Sequence, residues 1–233
     1  MRIGRQDERG SVPLYKYHAE EEYARALIDR GQVFARPLSY FRAFEDELLR
    51  GDPDDGKLQY EPEEGLQLTK ENGEVVAMPA GWRFRASVSA EDIFVYCLST
   101  ELSGEIAEKF ESPWCVEIAE PHRLLGRIAR HVRLRSQFDR KGIYSQEVDY
   151  RRLAMAPGVD WALPGRVAFI KPEGWAWQKE YRIVFGRKGA FVVENVELAL
   201  ETDGLRFALA DADPDPLILH IGDLSRFTAL HRF

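Results

Sequence analysis

An almost continuously apolar segment, IFVYCLS at residues 93–99, constrains the fold of this chain more than any other part of its sequence. A strand with one face in water alternates between apolar and polar residues, and this segment shows no such alternation. We therefore predict a strand that is buried on both faces, at the centre of a sheet that helices cover.

Helical patterns lie mostly in the first half of the chain and strand patterns mostly in the second half. Residues 20–30 repeat apolar side chains at four-residue spacing and are followed by Gly31, which can adopt the left-handed conformation that ends a helix. Residues 121–133 form a second amphipathic pattern, with an apolar stripe that faces the core. Shorter helices are predicted at 39–50 and 102–110, and strands at 14–18, 33–36, 66–70, 74–78, 114–119, 142–150, 167–171, 181–185, 191–200 and 217–221.

These patterns predict a single α+β domain over residues 1–233, built on a mixed, strongly twisted sheet with flanking helices. Residues 1–12 are charged and show no apolar periodicity, so we expect a disordered or extended N-terminal arm. Residues 52–65 combine acidic side chains with Asp-Pro, Asp-Gly and Glu-Pro steps, which predict a mobile surface loop.

Charge is distributed unevenly along this chain, whose formal net charge is −7. Residues 121–152 carry nine arginines and lysines against three acids. The overall negative charge argues against a general nucleic-acid coat protein, whereas the local basic stretch leaves a specific polyanion partner open. Arg123, Arg127 and Arg130 share one face of the predicted helix. That face is either a solvated surface or a site for phosphate or nucleic acid.

Several classes of protein are disfavoured by motifs that the sequence lacks. No apolar run approaches the roughly 20 residues of a membrane helix, and the N-terminus has no apolar core of a secretion signal. Neither a P-loop nor a G-x-S-x-G elbow is present, and no His/Cys spacing resembles a metal site. Cys97 and Cys115 lie in apolar segments, so we expect reduced, buried thiols in a cytoplasmic protein; a disulfide between neighbouring strands is the alternative.

Four segments, in their order and spacing, resemble the uncharacterised family called domain of unknown function 2971. They are LYKYH at 14–18, VYCLST at 95–100, VDY at 148–150 and WAWQKEYRIVF at 175–185. The resemblance covers most of the chain, and the last segment is its most specific part. The family usually carries an F-N-D-P-F-like run after the second strand, and this chain departs from it with FRAFE at 41–45.

The segment QKE at residues 178–180 is also similar to the E-x-E or Q-x-E element of mono-ADP-ribosyltransferases. That similarity implies a small ADP-ribosyltransferase-like domain that binds NAD in a cleft. Such domains place a residue that holds NAD on the first strand, a Ser-Thr pair on a central strand, and the catalytic glutamate at the start of a late strand. In this chain the corresponding positions are His18, then Ser99 and Thr100, then Glu180.

The similarity implies a role for each residue type. Breaking the nicotinamide–ribose bond develops positive charge on the ribose, which Glu180 would stabilise, while Gln178 would contact the acceptor. Ser99 and Thr100 would brace the glutamate. The remaining implied NAD contacts are the aromatic and basic groups Tyr17, His18, Trp175, Trp177 and Arg182.

Two functions of different classes follow from the sequence. The first is an ADP-ribosyltransferase-like enzyme that uses NAD to modify a protein or nucleic-acid acceptor, as a toxin or a phage-defence effector would. The second is a non-catalytic module that binds a nucleotide or nucleic acid. A third, purely structural interpretation is that Glu180 and Arg182 form an ion pair on an exposed face of a strand. If the transferase interpretation holds, Glu180→Gln should change thermal stability little, because any surface ion pair with Arg182 contributes under about 1 kcal/mol.

Overall fold

The structure is a computed structural model that describes residues 12–43, 57–88, 90–202 and 215–233. Its helices are α1 (Glu21–Arg30), α2 (Leu38–Ala43), α3 (Gly104–Lys109), α4 (Pro121–Arg133) and α5 (Pro164–Val167). Its strands are β1 (Leu14–His18), β2 (Gln32–Pro37), β3 (Lys57–Tyr60), β4 (Gln67–Thr69), β5 (Val75–Ala77), β6 (Trp82–Val88), β7 (Ile93–Ser99), β8 (Trp114–Ile118), β9 (Phe138–Glu147), β10 (Asp149–Arg151), β11 (Ile170–Pro172), β12 (Glu180–Arg187), β13 (Val196–Thr202), β14 (Leu217–His220) and β15 (Thr228–Arg232). Short 3₁₀ helices include Val159–Ala162 and Glu173–Gln178.

Eight of the strands form one sheet, whose main path runs β14-β2-β7-β1-β8-β15. Strand β12 pairs with the other edge of β7, and β9 pairs with β12. Each of these pairings is antiparallel, so the main sheet is not mixed as the sequence suggested. Parallel pairing joins β10 to β11 in a separate two-stranded sheet. The α+β class predicted from the sequence is confirmed.

Strand β7 lies between β12 on one edge and β1 and β2 on the other, as the apolar run predicts. Its side chains alternate between two hydrophobic cores because successive residues of a strand point to opposite faces. Phe94, Tyr96 and Leu98 pack on the side of α1 and α4, whereas Ile93 and Val95 pack on the opposite side. Helices α1 and α4 cover the first of these faces. The second is covered mainly by the small sheet β13-β6-β3, with α2, α5 and the 3₁₀ helix Val159–Ala162 beside it.

Helices α1 and α4 form where the apolar spacing predicts them. Gly31 ends α1 in the left-handed conformation, with φ of 59°. Helix α4 begins at Pro121 and buries the predicted stripe of Leu124, Ile128 and Val132 against the sheet. Within the described ranges, no helix has both the length and the apolar composition to cross a membrane.

Two further parts of the sequence prediction differ from the structure, and two others fall outside the described residues. The expected loop at 52–65 contains β3, which pairs with β6 and buries Leu58; residues 52–56 lie outside the described residues. Strands β6 and β15 were not predicted. Strand β6 reads WRFRASV, and the arginines in it are neutralised by acids distant in sequence, such as Glu201, which lies 2.9 Å from Arg85. The predicted arm at 1–12 and the predicted helix beyond residue 43 fall almost entirely outside the described residues.

Candidate functional site

The candidate site lies where β7 ends and β12 begins. The two strands are antiparallel, and Ser99 is the register partner of Glu180. The Ser99 hydroxyl donates a hydrogen bond to the Gln178 carbonyl at 3.2 Å. The backbone N–H and the hydroxyl of Thr100 donate to the Lys179 carbonyl at 2.8 and 3.2 Å. The Ser-Thr pair therefore fixes the segment that leads into Glu180.

The segment before Glu180 is the 3₁₀ helix Glu173–Gln178, which ends at Lys179 in the left-handed conformation (φ 46°, ψ 47°). A residue with a side chain adopts this conformation at a cost of about 1–2 kcal/mol. The hydrogen bonds from Thr100 to the Lys179 carbonyl hold the turn against that cost. The turn redirects the backbone, so that the side chain of Glu180, the first residue of β12, points into the protein.

Glu180 forms a buried ionic network with two cations. The Glu180 side chain is 6% exposed, and the Arg182 side chain is 1% exposed. Arg182 Nε lies 2.8 Å from Glu180 Oε1, and Arg182 Nη2 lies 3.3 Å from Oε2. Lys171 Nζ lies 3.3 Å from Glu180 Oε2 but only 2.8 Å from Gln178 Oε1. One carboxylate therefore faces two cations in the interior.

Neutral groups complete the network. The Glu180 backbone N–H donates to the Tyr150 hydroxyl oxygen at 2.9 Å, and Arg182 Nη1 donates to the Ala168 carbonyl at 2.7 Å. The Cys97 thiol also interacts with the Glu180 carboxylate. Burial raises the pKa of the Tyr150 hydroxyl and that of the Cys97 thiol, so both stay protonated.

The Glu180 carboxyl is ionised in this setting. Burial by itself would raise its pKa, but the adjacent charges of Arg182 and Lys171 outweigh burial and hold the pKa well below its usual range. The expectation of a surface ion pair between Glu180 and Arg182 is therefore wrong. Tertiary packing against Ala168 and Lys171, which a single strand does not reveal, encloses the pair.

An aromatic cluster lies beside this network. The Trp177 ring is 5.0 Å from that of Phe110, which is 6.1 Å from that of Tyr17. The Tyr17 ring in turn stacks on Phe233 at 6.2 Å. The Trp175 ring lies 5.1 Å from Lys171 Nζ, a member of the network. The structure therefore brings the predicted aromatic residues to the same end of the sheet as Glu180.

His18 lies on the opposite face of the sheet. In β12, Glu180 and Arg182 share a face with Val184, which belongs to the core away from α4. In β1, His18 is the register partner of Trp114, and Trp114 packs against the core on the α4 side. The structure thus does not bring His18 together with Glu180, although the adjacent Tyr17 does reach the site.

The predicted arginine face of α4 also lies apart from Glu180, on the other core. Arg127 Nη1 donates to the Asp223 carbonyl at 2.5 Å, which fixes the loop after β14. Arg123 Nε lies 2.8 Å from Glu120 Oε2. Arg130 is exposed and follows on the same helix. Two of the three arginines therefore have structural partners.

Two residues of the network were missed in the sequence. Lys171 ends an apolar segment, AFIK, and a single lysine at such a position is the signal that could have identified it. Tyr150 is part of the VDY segment, which was noted only for its resemblance to the family. Neither signal indicates a contact with Glu180, because the pairing of β10 with β11 creates that contact.

Comparison of the chain with family models, with curated proteins and with solved structures finds no match. The resemblance to domain of unknown function 2971 and the similarity to mono-ADP-ribosyltransferases therefore stay predictions. Among the described residues, no group of three or more His, Cys, Asp and Glu side chains is placed to hold a metal ion.

Proposed function

We propose that this protein is an ADP-ribosyltransferase-like enzyme that uses NAD to modify a protein or nucleic-acid acceptor in the cytoplasm. One observation supports the proposal most directly: the ionised Glu180, at the start of β12, lies opposite Ser99 at the end of β7. Tyr17, Trp175 and Trp177 lie at the same end of the sheet. Flat aromatic rings at this position suit the nicotinamide or adenine base.

The reaction breaks the bond between the nicotinamide nitrogen and the ribose carbon C1. The electron pair of that bond leaves with nicotinamide, positive charge develops on the ribose, and a nucleophile of the acceptor then bonds to C1 and loses its proton. Glu180 stabilises the positive ribose by its fixed negative charge. Its interaction is stronger in this desolvated site than it would be in water.

The two cations on Glu180 impose a condition on this chemistry. Because Arg182 and Lys171 occupy both carboxylate oxygens, Glu180 must exchange one cation for a ribose hydroxyl when NAD binds. Lys171 is the partner that leaves, since its one contact with Glu180 is 3.3 Å long, Arg182 also holds Glu180 at 2.8 Å, and Gln178 already holds Lys171 at 2.8 Å. Gln178 is itself buried, so it positions Lys171 and does not contact the acceptor.

A second candidate function is a non-catalytic nucleotide-binding module. The observation that favours it is that both carboxylate oxygens of Glu180 already contact the cations Arg182 and Lys171. Positive charge attracts the phosphates of a nucleotide but disfavours a positive ribose in the transition state. In this alternative Glu180 only holds Lys171 and Arg182 in place.

Nicotinamide release and NAD binding, measured on the same variants, separate the two functions. The assays use wild type, Glu180→Gln and Trp177→Ala, below the melting temperature of each variant and with cell extract as a source of acceptor. The transferase proposal expects release by wild type and a loss of about two to three orders of magnitude in Glu180→Gln. Trp177→Ala should weaken NAD binding.

Glu105→Gln is the matched control, because Glu105 pairs with Lys109 on the surface and should leave both measurements unchanged. Binding of NAD by wild type without nicotinamide release would replace the transferase with the binding module. Full release by a folded Glu180→Gln protein would end the catalytic role of Glu180.

A further inference from the structure

A basic patch lies at the far end of β12 from the candidate site. It consists of exposed cations in the last turn of α4, in β9 and where β12 ends: Arg130, Arg133, Arg140, Lys141, Arg187 and Lys188. Glu180 and Arg187 are the two ends of β12, so at about 3.3 Å per residue they lie roughly 23 Å apart. The basic patch is therefore a surface separate from the candidate site.

Hydrogen bonds join the three elements of the basic patch. Arg133 Nε donates to the Arg140 carbonyl at 3.2 Å, which ties the end of α4 to β9. The backbone N–H of Lys188 donates to the Gln137 carbonyl at 2.9 Å, which ties the end of β12 to the start of β9. The six cations therefore belong to one continuous surface.

The two cations of β9 lie in a bulge of that strand. Residues 139–142 lie opposite Gly186 alone in the register of β9 with β12. Such a bulge leaves residues unpaired and redirects their side chains. Arg140 and Lys141 are both exposed, although neighbours in a regular strand point to opposite faces of the sheet.

The ring of Phe191 packs directly on the backbone of this bulge. A Cβ at Gly142 or at Gly186 would lie 2.7 Å from that ring, so the packing requires glycine on both strands. The Asp139 carboxylate accepts the backbone N–H of Lys141 at 2.9 Å. These contacts fix the conformation that turns the two cations of β9 outward.

Most cations of the basic patch have no acidic partner. Arg187 pairs with Asp92 at 3.6 Å, and both of those side chains are about half exposed. The other five form no ion pair with any acid that the structure describes. Two of these five, Arg130 and Arg133, lie in the last turn of α4, where the helix dipole favours a cation. The remaining three, in β9 and after β12, have no such structural role.

We propose that the basic patch binds the phosphate backbone of a double-stranded nucleic acid. Guanidinium groups, which most members of the patch carry, match the oxygens of a phosphate in pairs. A surface for a protein partner has an apolar core, whereas one for nucleic acid is strongly positive and polar. Leu134 is the large exposed apolar side chain that adjoins these cations, and one side chain does not make an apolar core.

The composition of the basic patch also determines the form of nucleic acid that it suits. Single strands are held largely by stacking of their bases on aromatic rings, and every member of the patch is a cation. A double helix instead presents its phosphates on the outside, at one charge per about 1.7 Å of its axis. Contacts with phosphate alone carry no sequence information, so binding should be independent of sequence and sensitive to salt.

The test is fluorescence anisotropy of a labelled DNA duplex of about 20 base pairs, titrated with protein at salt concentrations from 50 to 200 mM. The test variant carries Arg140→Gln and Lys141→Gln together. The matched control carries Arg30→Gln and Arg226→Gln, which remove the same charge from exposed residues outside the patch.

Wild type should bind the duplex, and its affinity should fall steeply as salt rises. Each phosphate contact contributes about 0.9 to the slope of log affinity against log salt concentration. Loss of the two contacts in β9 should therefore reduce the slope by about 1–2 and weaken binding at 50 mM salt by about tenfold or more. The control variant should bind like wild type.

Several results would overturn the proposal. They are the absence of duplex binding at about 100 μM protein in 50 mM salt, equal slopes for the test and control variants, and tighter binding of a single strand or of phosphatidylserine vesicles than of the duplex. Lys188→Gln, on a different element, should reduce the slope by about 1 and serves if the double variant fails to fold. Nicotinamide release is not measured, so failure here leaves the proposed transferase unaffected.

Discussion

Replacing Glu180 with glutamine should destabilise the folded protein severely. The change removes one negative charge and almost no volume, so packing is preserved. It removes the negative charge that the fully buried Arg182 and the buried Lys171 both contact. A buried charge whose partner is removed costs about 3–5 kcal/mol.

This cost converts into a large shift of the melting temperature. A domain of 150–250 residues loses about 2–4 °C for each kcal/mol, so we expect Glu180→Gln to melt about 6–20 °C below wild type. Thermal unfolding followed by circular dichroism at pH 7 measures this shift. Glu105→Gln, which breaks a surface pair with Lys109, should melt within about 2 °C of wild type.

A double-mutant cycle tests the cause of the shift. Arg182→Met alone should also destabilise the protein, because the buried Glu180 carboxylate loses its shorter contact with a cation. The double variant Glu180→Gln, Arg182→Met should be less destabilised than the sum of the two single variants, since it removes both charges of the pair. Additive effects, or a Glu180→Gln protein that melts like wild type, would refute the buried ion pair as a stabilising unit.

Three further predictions concern acid stability, the thiols and two glycines. Folding lowers the pKa of the Glu180 carboxyl. Its contribution to stability is therefore present above the ordinary glutamate pKa of about 4.3 and is lost as the pH falls below that value. We expect the melting temperature of wild type to fall more steeply from pH 6 to pH 3 than that of Glu180→Gln. Both cysteines are free; Cys115 is buried as expected, whereas Cys97 is half-buried. Burial raises the pKa of each thiol, so a thiol reagent at pH 8 should label both faster after unfolding than before it, and equally rapid labelling of the native protein would contradict this. Gly31→Ala should destabilise by at least about 1–2 kcal/mol in denaturant titrations, because the residue has a positive φ and a Cβ would collide with the Gly222 carbonyl. Gly126 lies on the open face of α4, so Gly126→Ala should raise the free energy of unfolding by about 0.5–1 kcal/mol. Stabilisation by Gly31→Ala, or destabilisation by Gly126→Ala, would contradict the backbone conformation described for that glycine.

The parts of the fold that local sequence determines could be predicted. The apolar run of β7, the stripe of α4 and the left-handed Gly31 each follow from residues adjacent in the chain. Strand β6 could not be predicted in the same way. Its charged side chains sit in a sheet because Glu201, more than a hundred residues later, neutralises Arg85. That partner becomes visible only after β13 pairs with β6.

The candidate site likewise contains contacts that could be predicted from the sequence and contacts that could not. Ser99 and Glu180 were expected together, and the register of β7 with β12 makes them partners. His18 was also expected beside Glu180. The alternation of side chains along a strand does not by itself determine which face of the sheet a residue lies on. The pairing of β1 with β8 places His18 on the face opposite Glu180. The burial of Glu180 with Lys171 depends on the parallel pairing of β10 and β11, which has no local signal.

The strand order has a consequence for how the chain acquires its structure during synthesis. Strand β2, near the start of the chain, pairs with β14, and β8 pairs with β15. At a translation rate of about 5–20 residues per second, β2 leaves the ribosome about 10–40 s before β14 follows. During this interval, the edge of β2 that later pairs with β14 exposes unpaired N–H and C=O groups to other chains. The nascent chain should therefore depend on chaperones in this interval, and a slow, non-local closure step should dominate its refolding in vitro.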